Sequence, residues 1–153
     1  TRKVDMTDST PRRTRAALLY LAATIGGIAF GLVHVFIFFG ALAADDGHGH
    51  EHAGELAAFA DPGTLWLTAL FYALSVLPAV AILAIRGRAG LWIALVLGGL
   101  FTLLNLVDGV NHGVADGSWQ GLVAVLLAVA IPGVLAFVEN VRLLRAAPAK
   151  PAA

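Results

Sequence analysis

The feature that most limits what this chain can fold into is a set of four long apolar runs with every basic residue on one side of them. Arg2, Lys3, Arg12, Arg13 and Arg15 precede the first run, and Arg86 and Arg88 separate the second from the third. Arg142, Arg145 and Lys150 follow the fourth, which accounts for all 10 Lys and Arg of the chain. Basic residues in short loops resist translocation and so mark the cytoplasmic face. The pattern predicts an all-α polytopic membrane protein: four transmembrane helices in an antiparallel bundle, with N and C termini cytoplasmic. The expected location is the plasma membrane, the inner membrane in a bacterium.

Composition agrees with this reading. Hydrophobic residues make up 59% of the chain and charged residues 13%, too little polar surface for an ordinary soluble domain. At roughly 20 residues per span, four spans occupy most of the 153 residues. The formal net charge of zero carries no information, because the signs are segregated along the chain. With no cysteine, disulfides, thiolate metal sites and thiol redox chemistry are excluded. The first run exceeds a signal-peptide core and is followed by three more, so it is expected to be a span.

The spans are expected at about 16–42, 64–85, 91–114 and 119–141, given the length a bilayer requires. They form one domain, preceded by a basic arm, 1–15, suited to an anionic lipid surface. A long loop, 43–63, joins the first two spans, and an interfacial helix resting on Leu56 and Phe59 is expected within it. Arg86-Gly87-Arg88 and the stretch from Ala115 to Ser118 are tight turns. Trp66 and Trp119 belong at one membrane interface and Trp92 at the other. Pro78 and Pro132 fall inside the second and fourth spans and should kink them.

In lipid, helices associate through small residues and polar contacts, because an apolar side chain gains nothing by leaving lipid tails. Span one offers Ala23, Gly27 and Gly31 at a spacing of four, with His34 on the same face. Span three places Ala94, Gly98, Phe101, Asn105, Asp108 and His112 on one face, with Asn111 at its edge. Spans one and three are therefore expected to pack through Gly27, Gly31 and Gly98, with polar groups between them. At about 1.5 Å per residue, His34 lies roughly nine residues below the loop-side end of its span. Asp108 lies about seven below the end of span three and His112 about three, so His34 matches Asp108 in level.

Three sites are candidates. The first is the buried cluster His34, Asn105, Asp108, Asn111 and His112. A carboxylate at hydrocarbon depth must be paired, protonated or wetted, and a His–Asp pair there would relay protons or hold a cation. The same groups would also serve as an interhelical clamp. The second is the loop, where His48, His50 and His52 alternate with glycine and Glu51 behind Asp46. Imidazoles flanked by carboxylates suit Zn, Ni, Co or Cu. The third is haem b ligated by His34 and His112, which a level mismatch of about six residues, or about 9 Å, disfavours.

Glu139, beside Asn140, is expected to pair with Arg142 or Arg145. Thr24, Thr68, Ser75 and Thr102 are expected to bond back to their own helices. No nucleophile elbow, phosphate loop or zincin helix occurs, so no enzyme activity is expected, nor any contact with nucleic acid. Two functions follow. In the first, the protein handles a divalent transition metal or protons through the His-rich loop and the buried cluster. In the second, it is a non-catalytic accessory subunit whose polar cluster is structural. Both imply contact with the lipid bilayer, and a homo-oligomer or a larger membrane complex.

Overall fold

The computed structural model describes residues 9–44, 61–115 and 119–147, without the side chains of 9, 34, 37, 38, 40–44, 112 and 115. Every element in it is helical: α1 (Ser9–Ala44), α2 (Pro62–Leu74), α3 (Leu77–Ala84), α4 (Arg88–Ala115), α5 (Trp119–Val125), a π-helical segment (Leu126–Ala130) and α6 (Ile131–Ala146). α2 with α3, and α5 with the π segment and α6, each make one span, so four helices are long and apolar enough to cross a membrane. Residues 9–15 of the basic arm belong to α1.

Local chemistry sets the element ends. Asp61 caps α2: its Oδ2 accepts from the Thr64 backbone N–H at 2.7 Å, and Pro62 follows, where a missing N–H costs nothing. Pro78 ends α2 rather than merely bending it. Its ring removes one helical bond, and the Ala79 N–H turns to Val76 at 3.1 Å instead of reaching Ser75. The Ser75 carbonyl so released accepts from Thr24 Oγ1 at 3.0 Å. Thr24 thus bonds across to span two, not back to its own helix as its sequence context suggested. Ser75 Oγ does bond within its helix, to the Tyr72 carbonyl at 2.7 Å. Pro132 acts differently. The turn before it widens, with the Ile131 N–H reaching back five residues to the Leu126 carbonyl. Span four therefore absorbs its proline as a π segment.

Hydrogen bonds fix how the spans run. Arg13, near the start of α1, donates to the carbonyls of Ile82 (3.1 Å), Ile85 (3.4 Å) and Gly87 (2.9 Å) at the end of span two. Arg88, at the start of α4, donates to the Ala147 carbonyl at 3.0 Å beyond the end of α6. The start of spans one and three and the end of spans two and four therefore share one end of the bundle, here called the basic end. The opposite end is the loop end. Gly87 closes the basic-end turn with φ of 81°, a left-handed conformation that a Cβ would strain.

Each span packs against its neighbours in the chain, and the ring closes with α1 against α6. Spans one and three face each other across the diagonal, so the close pairing expected for them is replaced by side-chain contact through the centre. The tightest backbone approach lies elsewhere. A Cβ on Gly26 would meet the Ala128 carbonyl oxygen, its carbon at 2.6 Å and the Ala128 Cβ at 2.9 Å. Gly26 is adjacent to the glycine stripe but turned toward span four.

The core is concentrated at the basic end, where Ala17, Tyr20, Ile82, Leu91, Ala94 and Ala136 form its main cluster. A smaller cluster of Phe30, Val125 and Val129 lies toward the loop end. There, α2 buries no residue at all. The bundle is tight at one end and open at the other.

Candidate functional site

The three glycines expected to bring helices together instead make room for polar side chains. Asn105 Oδ1 lies 2.7 Å from where a Gly27 Cβ would stand, and the Tyr72 hydroxyl lies 2.6 Å from that of Gly31. The Tyr20 ring, with Cζ at 2.5 Å, fills the same space at Gly98. Each glycine thus lets a long polar group from another span enter a centre that a methyl would close.

Toward the loop end these groups form a cluster. Tyr72 donates to the Gly27 carbonyl at 3.4 Å, and Asn105 Nδ2 donates to the Phe101 carbonyl of its own helix at 2.8 Å. Phe71 stacks edge-on against both Tyr72 and Phe101, with ring centroids 5.4 Å apart in each pair, and so holds span two against span three at this level. Asp108, one turn beyond Asn105, lies near enough to the Tyr72 hydroxyl to act on it electrostatically. The Asp108 and Asn111 side chains are exposed on the isolated chain, whereas Asn105 is half-buried.

Deeper in the bundle, Tyr20, Thr24, Tyr72, Ser75, Thr102 and Asn105 surround a space of about 10 Å³. That is the room one water needs, and the lining supplies the polar partners that water requires. Below it, Asn140 is fully buried. Its Nδ2 donates to the Leu91 carbonyl at 3.1 Å and to the Tyr20 hydroxyl at 3.4 Å. Its Oδ1 is buried with no hydrogen-bond partner among the described residues. Next to it Glu139, also buried, pairs with Arg142 at 3.2 Å and with Arg15 at 3.8 Å. The second partner is Arg15 from span one, where the sequence had pointed to Arg145.

Of the residues singled out in the sequence, Asn105 lines the central space together with Tyr72, Asp108 acts on Tyr72 from the exposed side of α4, and Asn111 stands on the same exposed flank. The side chains of His34 and His112 lie outside the described residues, as do Asp46, His48, His50, Glu51 and His52 with the interfacial helix expected at Leu56 and Phe59. Among the described residues, no three His, Cys, Asp or Glu side chains converge as a metal site would require. Sequence reasoning missed both tyrosines. A signal existed: the chain has 2 tyrosines, and both sit inside apolar runs, away from the interfaces where such rings usually lie. A hydroxyl at that depth needs a partner.

No protein-family model, curated protein or solved structure matches this chain.

Proposed function

We propose that this chain is a small integral protein of the plasma membrane, with both termini cytoplasmic, that carries protons along the polar interior of its bundle. The observation that supports the reading is a series of polar groups spaced along the bundle, beginning with Asp108 on its flank. Asp108, Tyr72 and Asn105 lie toward the loop end, and the hydroxyls of Thr24, Ser75 and Thr102 come next. Tyr20, Asn140 and Glu139 continue the series to the basic end.

The size of the central space favours protons as the species carried. About 10 Å³ admits a single water, not a hydrated divalent cation or a macrocycle. Protons passed between hydroxyls and one water need nothing wider. In this reading Asp108 is the group that takes up and releases the proton, as intramembrane carboxylates do in relays. Tyr72 and Asn105 hold it in position. Capture of Zn, Ni, Co or Cu is assigned to His48, His50 and His52 alone, on their spacing, and haem has no place in the proposal.

A second reading has its own support. α2 buries no residue and Asp108 and Asn111 are exposed on the single chain, which suits a homo-oligomer or an accessory subunit seated in a larger membrane complex.

Purified protein reconstituted into vesicles loaded with a pH-sensitive dye tests the proton role. Under an imposed pH gradient, wild type should dissipate the gradient and Asp108→Asn should fall to the rate of protein-free vesicles. Wild-type flux equal to protein-free vesicles, or undiminished flux in Asp108→Asn, would overturn it and leave the subunit reading.

A further inference from the structure

Four charged side chains line a recess at the basic end: Arg12 and Arg15 on α1, and Glu139 and Arg142 on α6. They are unequally buried. The Glu139 side chain is 11% exposed, whereas those of Arg15 and Arg142 are 69% and 64% exposed. The carboxylate is therefore the floor of the recess and the guanidiniums are its rim. Both rim arginines reach the same oxygen, Glu139 Oε1, so one buried charge orients two exposed forks. A guanidinium carries five N–H donors, and each of these spends little of its capacity on Glu139. Arg12, one turn before Arg15 on the same face, has no partner among the described residues. Among the described residues, three cations face one anion in the recess.

Two other arginines at this end, Arg13 and Arg88, are committed to backbone carbonyls of the turn and the chain end. What sets the recess apart is its buried Glu139, which orients two of its arginines.

We propose that this recess binds a phosphate group, and specifically the headgroup phosphate of an anionic membrane lipid. Arginine forks match phosphate oxygens in geometry as well as charge. Basic pockets between membrane helices on the cytoplasmic side commonly take such headgroups. What favours a lipid over free phosphate is the surface beside the recess. Arg15 also borders an open face of α1 that runs from Thr10, Pro11 and Thr14 to Leu18 and Leu19, polar at the basic end and apolar one turn further along. A phosphate on the rim places its acyl chain along that face. The recess shares Glu139 with the proposed proton series, but lipid binding at its arginine rim requires no proton movement.

Binding is to be measured on the full chain in mild detergent by native mass spectrometry, with phosphatidylglycerol, phosphatidylcholine and inorganic phosphate as separate probes. Phosphatidylglycerol should bind and phosphatidylcholine should not compete. Arg12→Gln removes an exposed side chain that has no partner among the described residues, so folding is retained, and it should weaken binding about fivefold. Arg12→Gln/Arg15→Gln/Arg142→Gln should weaken it by about a hundredfold. Arg86→Gln, at the same end but outside the recess, is the control. Equal affinity for the two lipids, or equal losses in Arg12→Gln and Arg86→Gln, would overturn the site in favour of diffuse attraction. Inorganic phosphate competing as strongly as the lipid would overturn the lipid assignment.

Discussion

Replacing Gly26 by alanine asks the most of this packing. The added Cβ would meet the Ala128 carbonyl oxygen and stand 2.6 Å from its carbon and 2.9 Å from the Ala128 Cβ. Carbon atoms rest at about 3.5–4.0 Å, so α1 and the π segment must part by roughly 1 Å. The obstacle is backbone, which cannot swing aside as a side-chain tip would. Overpacking of this kind costs about 1–3 kcal/mol, and rigid backbone places it near the upper figure. Alanine recovers about 1 kcal/mol through its better helix propensity, leaving a net loss of about 2 kcal/mol. Gly99→Ala is the matched comparison, because its Cβ would sit 3.5 Å and 3.7 Å from Phe137 ring atoms, ordinary contact distances. That variant should be unchanged or stabilised by up to about 1 kcal/mol. Unfolding in mixed micelles titrated with a denaturing detergent, followed by fluorescence of the 3 tryptophans, measures both. If the two variants unfold together, or Gly26→Ala is the more stable, the packing of α1 against span four described above is wrong.

Thr24→Val keeps the shape but loses the bond to the Ser75 carbonyl. In the same assay it should cost about 1 kcal/mol, and a cost near zero would mean that another donor fills the gap left by Pro78. Asn140→Leu should cost about 1–3 kcal/mol, because it strands the buried Tyr20 hydroxyl and takes a donor from the Leu91 carbonyl, which outweighs removing an acceptor that has no partner among the described residues. Gly87→Ala should lose about 1–2 kcal/mol to left-handed strain at the basic-end turn, with no other contact disturbed. Isothermal titration with Zn²⁺ should show binding that vanishes when His48, His50 and His52 are all replaced by alanine.

How much of this was legible in the sequence depends on the kind of signal. The four helices could be read because apolar length is a strong signal. The sharing of one end by Arg13, Arg88 and Glu139 with its arginines followed from where the charges fall. Helix neighbours could not be read in the same way. In lipid both faces of a helix are apolar, so periodicity shows a small-residue stripe without showing what enters it. Gly27, Gly31 and Gly98 were found, yet the backbone approach is at Gly26, one residue around the helix. The proline in span four gave no hint that it would widen the turn before it. Thr24 was misread because its partner, the Ser75 carbonyl, is released only by a proline three residues further along another span. At the candidate site Asn105 and Asp108 were visible as polar residues on one face. Tyr72, which lies near Asp108 and shares the lining of the central space with Asn105, was hidden among aromatic residues of an apolar run.

Asp108 is the residue whose chemistry has to change if protons move through this bundle. Infrared difference spectra of the lipid-reconstituted protein, recorded while the pH on the loop side is stepped, observe that carboxyl group directly. Expected is one protonated-carboxyl component, present in wild type and missing in Asp108→Asn, on top of the loop carboxyl signals that both proteins share. Spectra that are superimposable for the two proteins would contradict proton uptake at Asp108.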